Sequence, residues 1–398
     1  MSSTHEVTIA STAVVEEVIE GVRMLSSVRR DGDALRRAVR ECDIIITQGL
    51  VLTTIPVLAR SGKFIVCDFY DPYVLEYLAH PHPDAPDWGY MRQWHTVNEQ
   101  LLAADVFLCA NERQRDFVFG WLGALGRLAI TEYQKDPSFE HLVKVVPFGL
   151  SPQPPVAQQG SLRGLLPGVG AEDVVAIWGG GIWDWLDPQT VIRGAAALAN
   201  ERLKLVFVGS GDPNKINRPM DAGRECRALA EELHVLDRSV FFLDRWIAFD
   251  ERSAYLCDAN IGVSAHAKTI ETRYAFRTRV LDYIWASLPM IVSKGDFFSE
   301  WIERHEVGLT VRPGDPAAWT SAFRHVFENR DALAAMRRRL AALAPEWYWQ
   351  RVAQPLVDYC NAPYHTERPS RTRQRLLPPL NSAYERWRRV AARLWPKT

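Results

Sequence analysis

Residues 271–296 read ETRYAFRTRVLDYIWASLPMIVSKGD and place charged side chains next to two apolar segments. The acid Glu271 is followed by three arginines, Arg273, Arg277 and Arg279, and by a second acid, Asp282. The apolar run LDYIWA then predicts a helix, and the apolar residues 290–293 predict a short buried strand after a Ser-Leu-Pro turn. The stretch therefore predicts part of an α/β sheet, with a charged cluster at its mouth that can bind sugar hydroxyls and a diphosphate.

Strands and helices alternate on both sides of this stretch. Apolar runs predict strands in two groups, at 5–11, 42–49, 63–72, 105–110 and 144–149, and then at 174–181, 204–212, 239–246, 259–266, 290–293 and 308–315. Helices are predicted within 14–40 and at 53–60, 91–104, 112–125, 189–201, 221–233, 250–257, 316–328 and 346–360. Strands that alternate with helices at this spacing indicate parallel, doubly wound sheets.

The clearest linker is 151–164, which is rich in Pro, Gln and Gly. It divides the chain into an α/β domain at 1–150 and a second one at 151–345. A helix within 346–364 and a basic amphipathic tail at 365–398 follow. Each domain is long enough to form its own core.

Composition is that of a globular protein, with 47% hydrophobic and 24% charged residues. No apolar run approaches the ~18 residues of a membrane-spanning helix, and the first residues lack the pattern of a signal peptide, so we expect a cytoplasmic protein. The six cysteines include no CxxC pair. Buried free thiols are therefore expected rather than disulfides or a metal site.

The tail from residue 365 carries nine Arg and Lys against two Glu, a net charge of +7. Such a charge suits nucleic acid or an anionic membrane surface. On a helix, Trp387, Val390 and Leu394 would form an apolar stripe opposite the arginines, which favours peripheral contact with a membrane over nucleic acid. The alternative is a solubilising tail without a partner.

The stretch at 271–296 resembles the donor-sugar motif of family-4 retaining glycosyltransferases of the GT-B fold. In that family an acid precedes a helix whose first turn carries a second acid, followed by a small-residue–Pro turn and an apolar strand. Here Glu271 and Asp282 are eleven residues apart instead of eight, and the second acid is Asp. The segment FRTRVLDYIWASLP resembles the corresponding motif of one bacterial branch of this family. The resemblance implies two Rossmann-like domains facing a cleft, with a C-terminal helix that crosses back to the first domain.

The resemblance also implies roles for the charged residues of the motif. Glu271 would bind hydroxyls of the transferred sugar, and Asp282 would accept hydrogen bonds from the ribose. Arg277 and Arg279 would neutralise the departing diphosphate. Simpler alternatives are a salt bridge between these arginines and the acids, and a helix-capping or first-turn role for Asp282.

Glycines follow the first strand of the second domain, in IWGGG. A loop of Gly179, Gly180 and Gly181 at this β-α junction would let backbone N–H groups approach a diphosphate, although a plain tight turn has the same sequence. Lys268 is a further candidate cation for the phosphates.

Two strand ends supply the remaining candidates. Asp244, Arg245 and Trp246 end a strand where the family holds the nucleotide base; Trp246 would stack on the base or belong to the core. In the first domain, Asp71 would contact the acceptor at a strand end, although Asp-Pro is also ordinary turn chemistry. The segment 112–115 (ERQR) is expected to be a solvated helix face.

These features predict a retaining glycosyltransferase that uses a nucleotide-diphosphate sugar and a glycan, lipid-linked or secondary-metabolite acceptor, with no metal and no further cofactor. By comparison with the family, the first domain lacks its first β-α unit, which normally faces both substrates. Two alternatives therefore stay open: a non-catalytic glycosyltransferase-like protein that works beside a partner protein, and a nucleotide-sugar epimerase.

Overall fold

The computed structural model of the protein describes residues 4–15, 18–28, 32–49, 51–79, 81–82, 84–157, 162–209, 221–243 and 245–368. Its strands are β1 (Val7–Ala10), β2 (Val22–Leu25), β3 (Ile44–Gln48), β4 (Phe64–Asp68), β5 (Val106–Cys109), β6 (Val143–Val145), β7 (Val174–Gly179), β8 (Leu203–Val208), β9 (Val240–Leu243), β10 (Ile261–Ser264), β11 (Met290–Ser293) and β12 (Gly308–Val311).

Its α-helices are α1 (Gly32–Glu41), α2 (Val51–Thr54), α3 (Pro56–Ala59), α4 (Tyr73–Ala79), α5 (Pro86–Ala103), α6 (Glu112–Ala124), α7 (Ile130–Lys135), α8 (Pro188–Ala196), α9 (Ala222–Glu232), α10 (Arg252–Asp258), α11 (Ile270–Tyr274), α12 (Thr278–Trp285), α13 (Phe297–His305), α14 (Pro316–Glu328), α15 (Arg330–Leu343), α16 (Trp349–Val352) and α17 (Gln354–Asn361). Short 3₁₀ turns cover Phe249–Glu251 and Ala344–Trp347.

The C-terminal sheet contains six parallel strands in the order β12-β11-β10-β7-β8-β9. Its strands are apolar on both faces and buried, as parallel strands covered by helices must be. The strand order reverses between β7 and β10, where Ile261 pairs with Ala176 and Gly262 with Ile177. In open α/β sheets ligands bind outside the carboxyl ends of the strands at such a reversal. The fold therefore places the candidate site beyond Gly179 and Ser264.

Helix α12 is fixed beneath this reversal by one buried tyrosine. The Tyr283 hydroxyl accepts the Gly179 N–H at 3.0 Å and lies 2.9 Å from Val263 O and 3.1 Å from Ile177 O. Its ring fills the space next to Gly262, where a Cβ would come within 2.6 Å of the ring. Because α12 is held at the ends of both strands, its charged N-terminus lies at the mouth of the sheet.

The N-terminal sheet is parallel, with the order β3-β4-β5-β6, and β1 and β2 form a separate two-stranded parallel sheet. The prediction of helical periodicity through 14–40 was wrong for its first half. Residues Val22–Leu25 form β2, whose Leu25 carbonyl accepts the N–H of Ser11, and the helix covers only Gly32–Glu41. Pairing with a strand distant in sequence has overridden the local pattern.

The predicted single helix at 346–360 is wrong as well. The segment is a 3₁₀ turn followed by α16 and α17, and Pro355 lies in the first turn of α17, where its missing N–H costs no helical hydrogen bond. At its start the segment pairs with the linker, since Leu150 N donates to Trp347 O at 2.7 Å and Trp349 N to Leu150 O at 3.1 Å. The two chain crossings between the sheets thus lie side by side.

Helix α17 packs on the N-terminal sheet, where Tyr359 contacts a cluster that includes Val66, Val106 and Leu108. The residues after it are anchored by the buried carboxylate of Asp105, which accepts from Ile65 N at 2.9 Å and pairs with Arg368 at 2.8 Å. The remainder of the predicted basic tail, 369–398, lies outside the described residues.

The result is two Rossmann-like α/β units, which confirms the predicted fold class. All six cysteines are free thiols, and Cys67, Cys109, Cys226 and Cys360 are buried, as expected. Within the described residues, no helix has the length and apolar character needed to cross a membrane.

Candidate functional site

The glycine loop after β7 packs against the loop after β8. Gly180 has a φ of +105° and Gly209 one of +93°, a conformation that favours glycine. Gly180 N donates to Val208 O at 2.9 Å, and a Cβ on Gly209 would lie 3.3 Å from the Gly180 Cα. The close approach of these two backbones leaves the peptide groups at the end of β7 uncovered by side chains of their own.

Arg279 lies against this loop. Its Nη2 donates to the carbonyl of Gly181 at 2.8 Å, and its guanidinium carbon is 4.3 Å from the centre of the Trp178 ring. Burial lowers the pKa of Arg279 to about 10, so the group stays charged at neutral pH. Its Nη1 is buried and makes no hydrogen bond to the described residues. A charged donor therefore remains available beside the loop.

Arg277 and Glu271 form a buried ion pair. Arg277 Nη2 lies 2.7 Å from Glu271 Oε2, and the two side chains are 10% and 5% exposed. The salt-bridge alternative from the sequence is thus observed for this pair. Arg277 Nε is buried and lacks a hydrogen-bond partner in the described part of the chain, so the pair leaves one donor for a ligand.

Asp282 lies on the outer side of α12. It is the fifth residue of a helix whose N-cap is Arg277, so the capping and first-turn alternatives are wrong. Its Oδ1 lies 3.1 Å from Arg252 Nε, and the Arg252 guanidinium stacks between Phe249 and Trp285. Burial raises the pKa of Asp282 while Arg252 opposes the rise. The carboxylate keeps about a third of its surface exposed, enough for a hydroxyl to reach it.

Three other residues that the sequence predicted to bind the donor have exposed side chains. Trp246 is 57% exposed, so its core alternative is wrong. Arg245 lies 3.6 Å from Glu251 and 5.5 Å from the Tyr255 ring centre, and Lys268 lies on the exposed segment between β10 and α11. Asp244 is outside the described residues. The contacts of the described residues do not bring these three side chains to Arg277 or Arg279.

Carboxylates of the N-terminal domain face the Glu271–Arg277 pair across the cleft. Burial raises the pKa of Asp71 to about 6; the charge of Glu271 adds to the rise, and a hydrogen bond from Tyr70 and the charge of Arg277 oppose it. Glu76 on α4 was missed by the sequence analysis. Burial, with the charges of Asp71 and Glu271, raises its pKa to about 7. Acids from both domains thus share one arginine.

The start of α6 joins the two domains, which makes the predicted solvated face at 112–115 wrong. Gln114 is buried, and its Nε2 donates to Tyr70 O at 2.5 Å and to Tyr274 O at 2.8 Å, one carbonyl from each domain. Arg113 donates to Arg273 O and pairs with Glu300. We call these contacts of Arg113 and Gln114 the α6 latch. It connects the two domains through contacts of the first turn of α6.

The raised pKa values predict that stability falls as pH rises. Asp71 and Glu76 bind protons in the folded state at a pH where the unfolded chain has released them, so the free energy of unfolding should decrease between about pH 4 and 7. Glu76→Gln cannot ionise, and we expect it to exceed the wild type by about 1 kcal/mol or more at pH 8, with no gain at pH 4. Urea denaturation at both pH values measures this difference.

Glu328→Gln, at an exposed position of α14, is the matched control and should change stability little at either pH. An equal effect of Glu76→Gln at pH 4 and pH 8 would contradict the prediction.

Residues 174–329 match the family model described as group 1 glycosyl transferases. No curated protein matches the chain. Among solved structures, sucrose-phosphate synthase from Thermosynechococcus elongatus has a TM-score of 0.63 at 16% identity, over 89% of this chain and 88% of that one. Anabaena HepE in complex with UDP has a TM-score of 0.61 at 16% identity, over 86% of both chains. WaaG, a glycosyltransferase involved in lipopolysaccharide biosynthesis, has a TM-score of 0.61 at 14% identity, over 91% and 93%.

These likenesses establish the GT-B arrangement of two Rossmann-like domains that the sequence predicted. The matched segment contains the glycine loop and the whole stretch 271–296. The family-model match covers residues 174–329, and the likenesses to solved structures concern the fold.

Proposed function

We propose that the protein is a retaining glycosyltransferase that transfers a sugar from a nucleotide-diphosphate sugar. One observation carries the proposal: Arg277 and Arg279 each keep a buried N–H without a partner in the described residues, beside the glycine loop at the strand reversal. Buried polar groups are nearly always hydrogen-bonded, so these donors call for acceptor atoms that the described residues do not supply and that a ligand can provide. The oxygens of a diphosphate are acceptors of the right charge.

The donor binds on the C-terminal domain in this proposal. The two guanidiniums stabilise the negative charge that develops on the departing diphosphate, and the Gly181 peptide at the end of the glycine loop lies beside them; the N–H groups of Gly179 and Gly180 already pair with Tyr283 and Val208. Asp282, the partly exposed carboxylate, accepts hydrogen bonds from the ribose, and Glu271 binds a hydroxyl of the transferred sugar. Anabaena HepE has been solved with UDP and with UDP-glucose, which supports a nucleotide sugar as the donor class.

The acceptor enters from the N-terminal domain, where Asp71 contacts its hydroxyl. The acceptor class is a glycan, a lipid-linked sugar or a secondary metabolite. Closure of the α6 latch excludes water from the activated sugar and so favours transfer over hydrolysis. The reaction proceeds by attack on the same face from which the diphosphate departs, and neither a metal nor a covalent nucleophile of the protein takes part. Attachment to an anionic membrane surface through the basic tail is part of this proposal.

The test is thermal unfolding in the presence of UDP-, GDP-, ADP- and TDP-glucose. A ligand at about a hundred times its Kd stabilises the folded state by about 2.7 kcal/mol, which shifts Tm measurably. We expect one nucleotide to raise Tm in the wild type and to lose most of that effect in Arg279→Ala and in Asp282→Ala.

Arg224→Ala, at an exposed arginine of α9, is the matched control and should keep the wild-type shift. If none of the four compounds shifts Tm, the enzyme proposal fails for this chain, and a non-catalytic protein that needs a partner becomes the better description.

A further inference from the structure

The ring of a buried histidine at the strand reversal makes no hydrogen bond within the described part of the protein. His266 lies two residues after β10 and is 1% exposed, and both of its ring nitrogens are buried without a hydrogen-bond partner. The hydroxyl of Ser264, at the end of the same strand, is also buried and unpaired among the described residues. Unpaired buried side chains are rare enough in native proteins that each one demands an explanation.

The ring of His266 lies next to a buried carboxylate, at a distance longer than a hydrogen bond. Its Nε2 lies 3.6 Å from Oδ2 of Asp296, which is 2% exposed. The Asp296 carboxylate caps α13 by accepting the Ser299 N–H at 2.7 Å. Burial alone would raise the pKa of Asp296, but the neighbouring His266, the Ser299 N–H and Arg277 hold it below its usual value. Asp296 therefore stays ionised and favours a positive charge on the imidazole.

Asp296 also links His266 to the predicted donor cluster. The charge of Arg277 acts on Asp296, and Arg277 in turn pairs with Glu271. The charges of these buried groups alternate in sign when the imidazole is protonated, in the order Glu271, Arg277, Asp296 and His266. Each cation of this set has a carboxylate on one side and an unpaired N–H for a further acceptor.

We propose that His266 is a third cationic donor to the nucleotide sugar, protonated and oriented by Asp296, and that donor binding is accompanied by uptake of a proton onto its ring. The inference rests on the proposed function, because it names a further residue of the same site. It adds a chemical property that arginines cannot supply: an imidazole changes its charge near neutral pH, whereas a guanidinium does not. Donor affinity should then be stronger in acid than in alkali.

Two acids in the cleft have raised pKa values, and their contribution must be separated from that of His266. Asp71 and Glu76 have raised pKa values and face Arg277 from the N-terminal domain, and Glu271 faces it from α11. Protonation of these acids would also strengthen the binding of an anion. A nucleotide sugar has no phosphate group that titrates near neutral pH, so the ligand itself adds no proton of its own.

The experiment is isothermal titration calorimetry of the full chain with UDP-, GDP-, ADP- and TDP-glucose at pH 6 and pH 8, in buffers of different ionisation enthalpy. We expect the nucleotide sugar that binds to do so with net proton uptake at pH 8. A charge-assisted hydrogen bond corresponds to about a tenfold or larger effect, so His266→Gln should bind at least about tenfold more weakly at pH 6 and show reduced proton uptake at pH 8. Glu76→Gln should retain the part of the uptake that belongs to His266.

The outcomes separate the two proposals. If a nucleotide sugar binds the wild type without proton uptake, or with uptake and affinity that His266→Gln leaves unchanged, the role of His266 is refuted while the proposed function stands. If none of the four compounds binds the wild type, both proposals fall. Absence of proton uptake by the wild type refutes the role of His266 even if His266→Gln does not fold, and His266→Asn provides a second amide variant for assigning any uptake that is observed.

Discussion

Replacing Arg277 by methionine should lower the free energy of unfolding by about 3–5 kcal/mol, the usual cost of removing one partner of a buried ion pair. The Glu271 side chain is only 5% exposed and would be left with an uncompensated charge 2.7 Å from the lost guanidinium. Asp296 would lose the same neighbour, and Asp71 and Glu76 would face Glu271 without a cation between them. Urea denaturation at pH 7 measures the change.

The double variant Arg277→Met/Glu271→Gln tests the cause. Because it removes both charges, it should recover a substantial part of the loss, and the coupling energy of the double-mutant cycle should exceed 1 kcal/mol, about the upper end for exposed pairs. Arg224→Met, at an exposed ion pair of α9, is the matched control and should cost little. A loss below about 1 kcal/mol for Arg277→Met would mean that Glu271 finds another partner or a proton.

The second large effect is expected at the α6 latch, in Gln114→Leu. The side-chain amide accepts the Ala110 N–H at 2.7 Å and donates to the carbonyls of Tyr70 and Tyr274, so a leucine of similar size leaves three buried backbone groups unpaired. Each such group costs about 1–3 kcal/mol. Since one of the carbonyls belongs to the other domain, we expect the cleft to open, which small-angle X-ray scattering detects as a larger radius of gyration.

Gln354→Leu is the matched control, because Gln354 is exposed and its side chain, among the described residues, donates to Asp358 of its own helix. It should change neither stability nor the radius of gyration. If Gln114→Leu is destabilised and keeps the wild-type radius, the residue supports the local structure of α6 but does not hold the domains together.

The sequence predicted the bounds of helices and strands well where neighbouring residues determine them. The strand Met290–Ser293 and the helix Pro316–Glu328 occur with the predicted bounds. A continuous apolar run defines the strand, and Asp315 with Pro316 marks the start of the helix by capping and by a fixed φ. The predicted helical pattern at 14–40 failed because β2 exists only through pairing with β1, which no nearby residue encodes.

The candidate site was predictable to the same extent. Arg279 and Gly181 are 98 positions apart, yet the sequence predicted both at the mouth of the sheet. Gly181 follows the strand β7, and Arg279 lies at the start of the helix α12. Gln114 and Glu76 were missed because their significance comes from the opposite domain, and a polar residue on an amphipathic helix carries no mark of such a contact. His266 was missed because burial of a lone histidine cannot be read from its neighbours in the sequence.

The paired crossings at Leu150 and Trp347–Trp349 determine how the molecule can move. The two chain segments that join the domains are hydrogen-bonded to each other. We therefore expect them to form one hinge and not two independent connections. We therefore expect the domains to move relative to one another mainly by rotation near Leu150. Because Trp347 is anchored in the C-terminal core and Tyr359 in the N-terminal one, the rotation is limited by the short chain between them. We expect substrates to enter the cleft from the side opposite these paired segments.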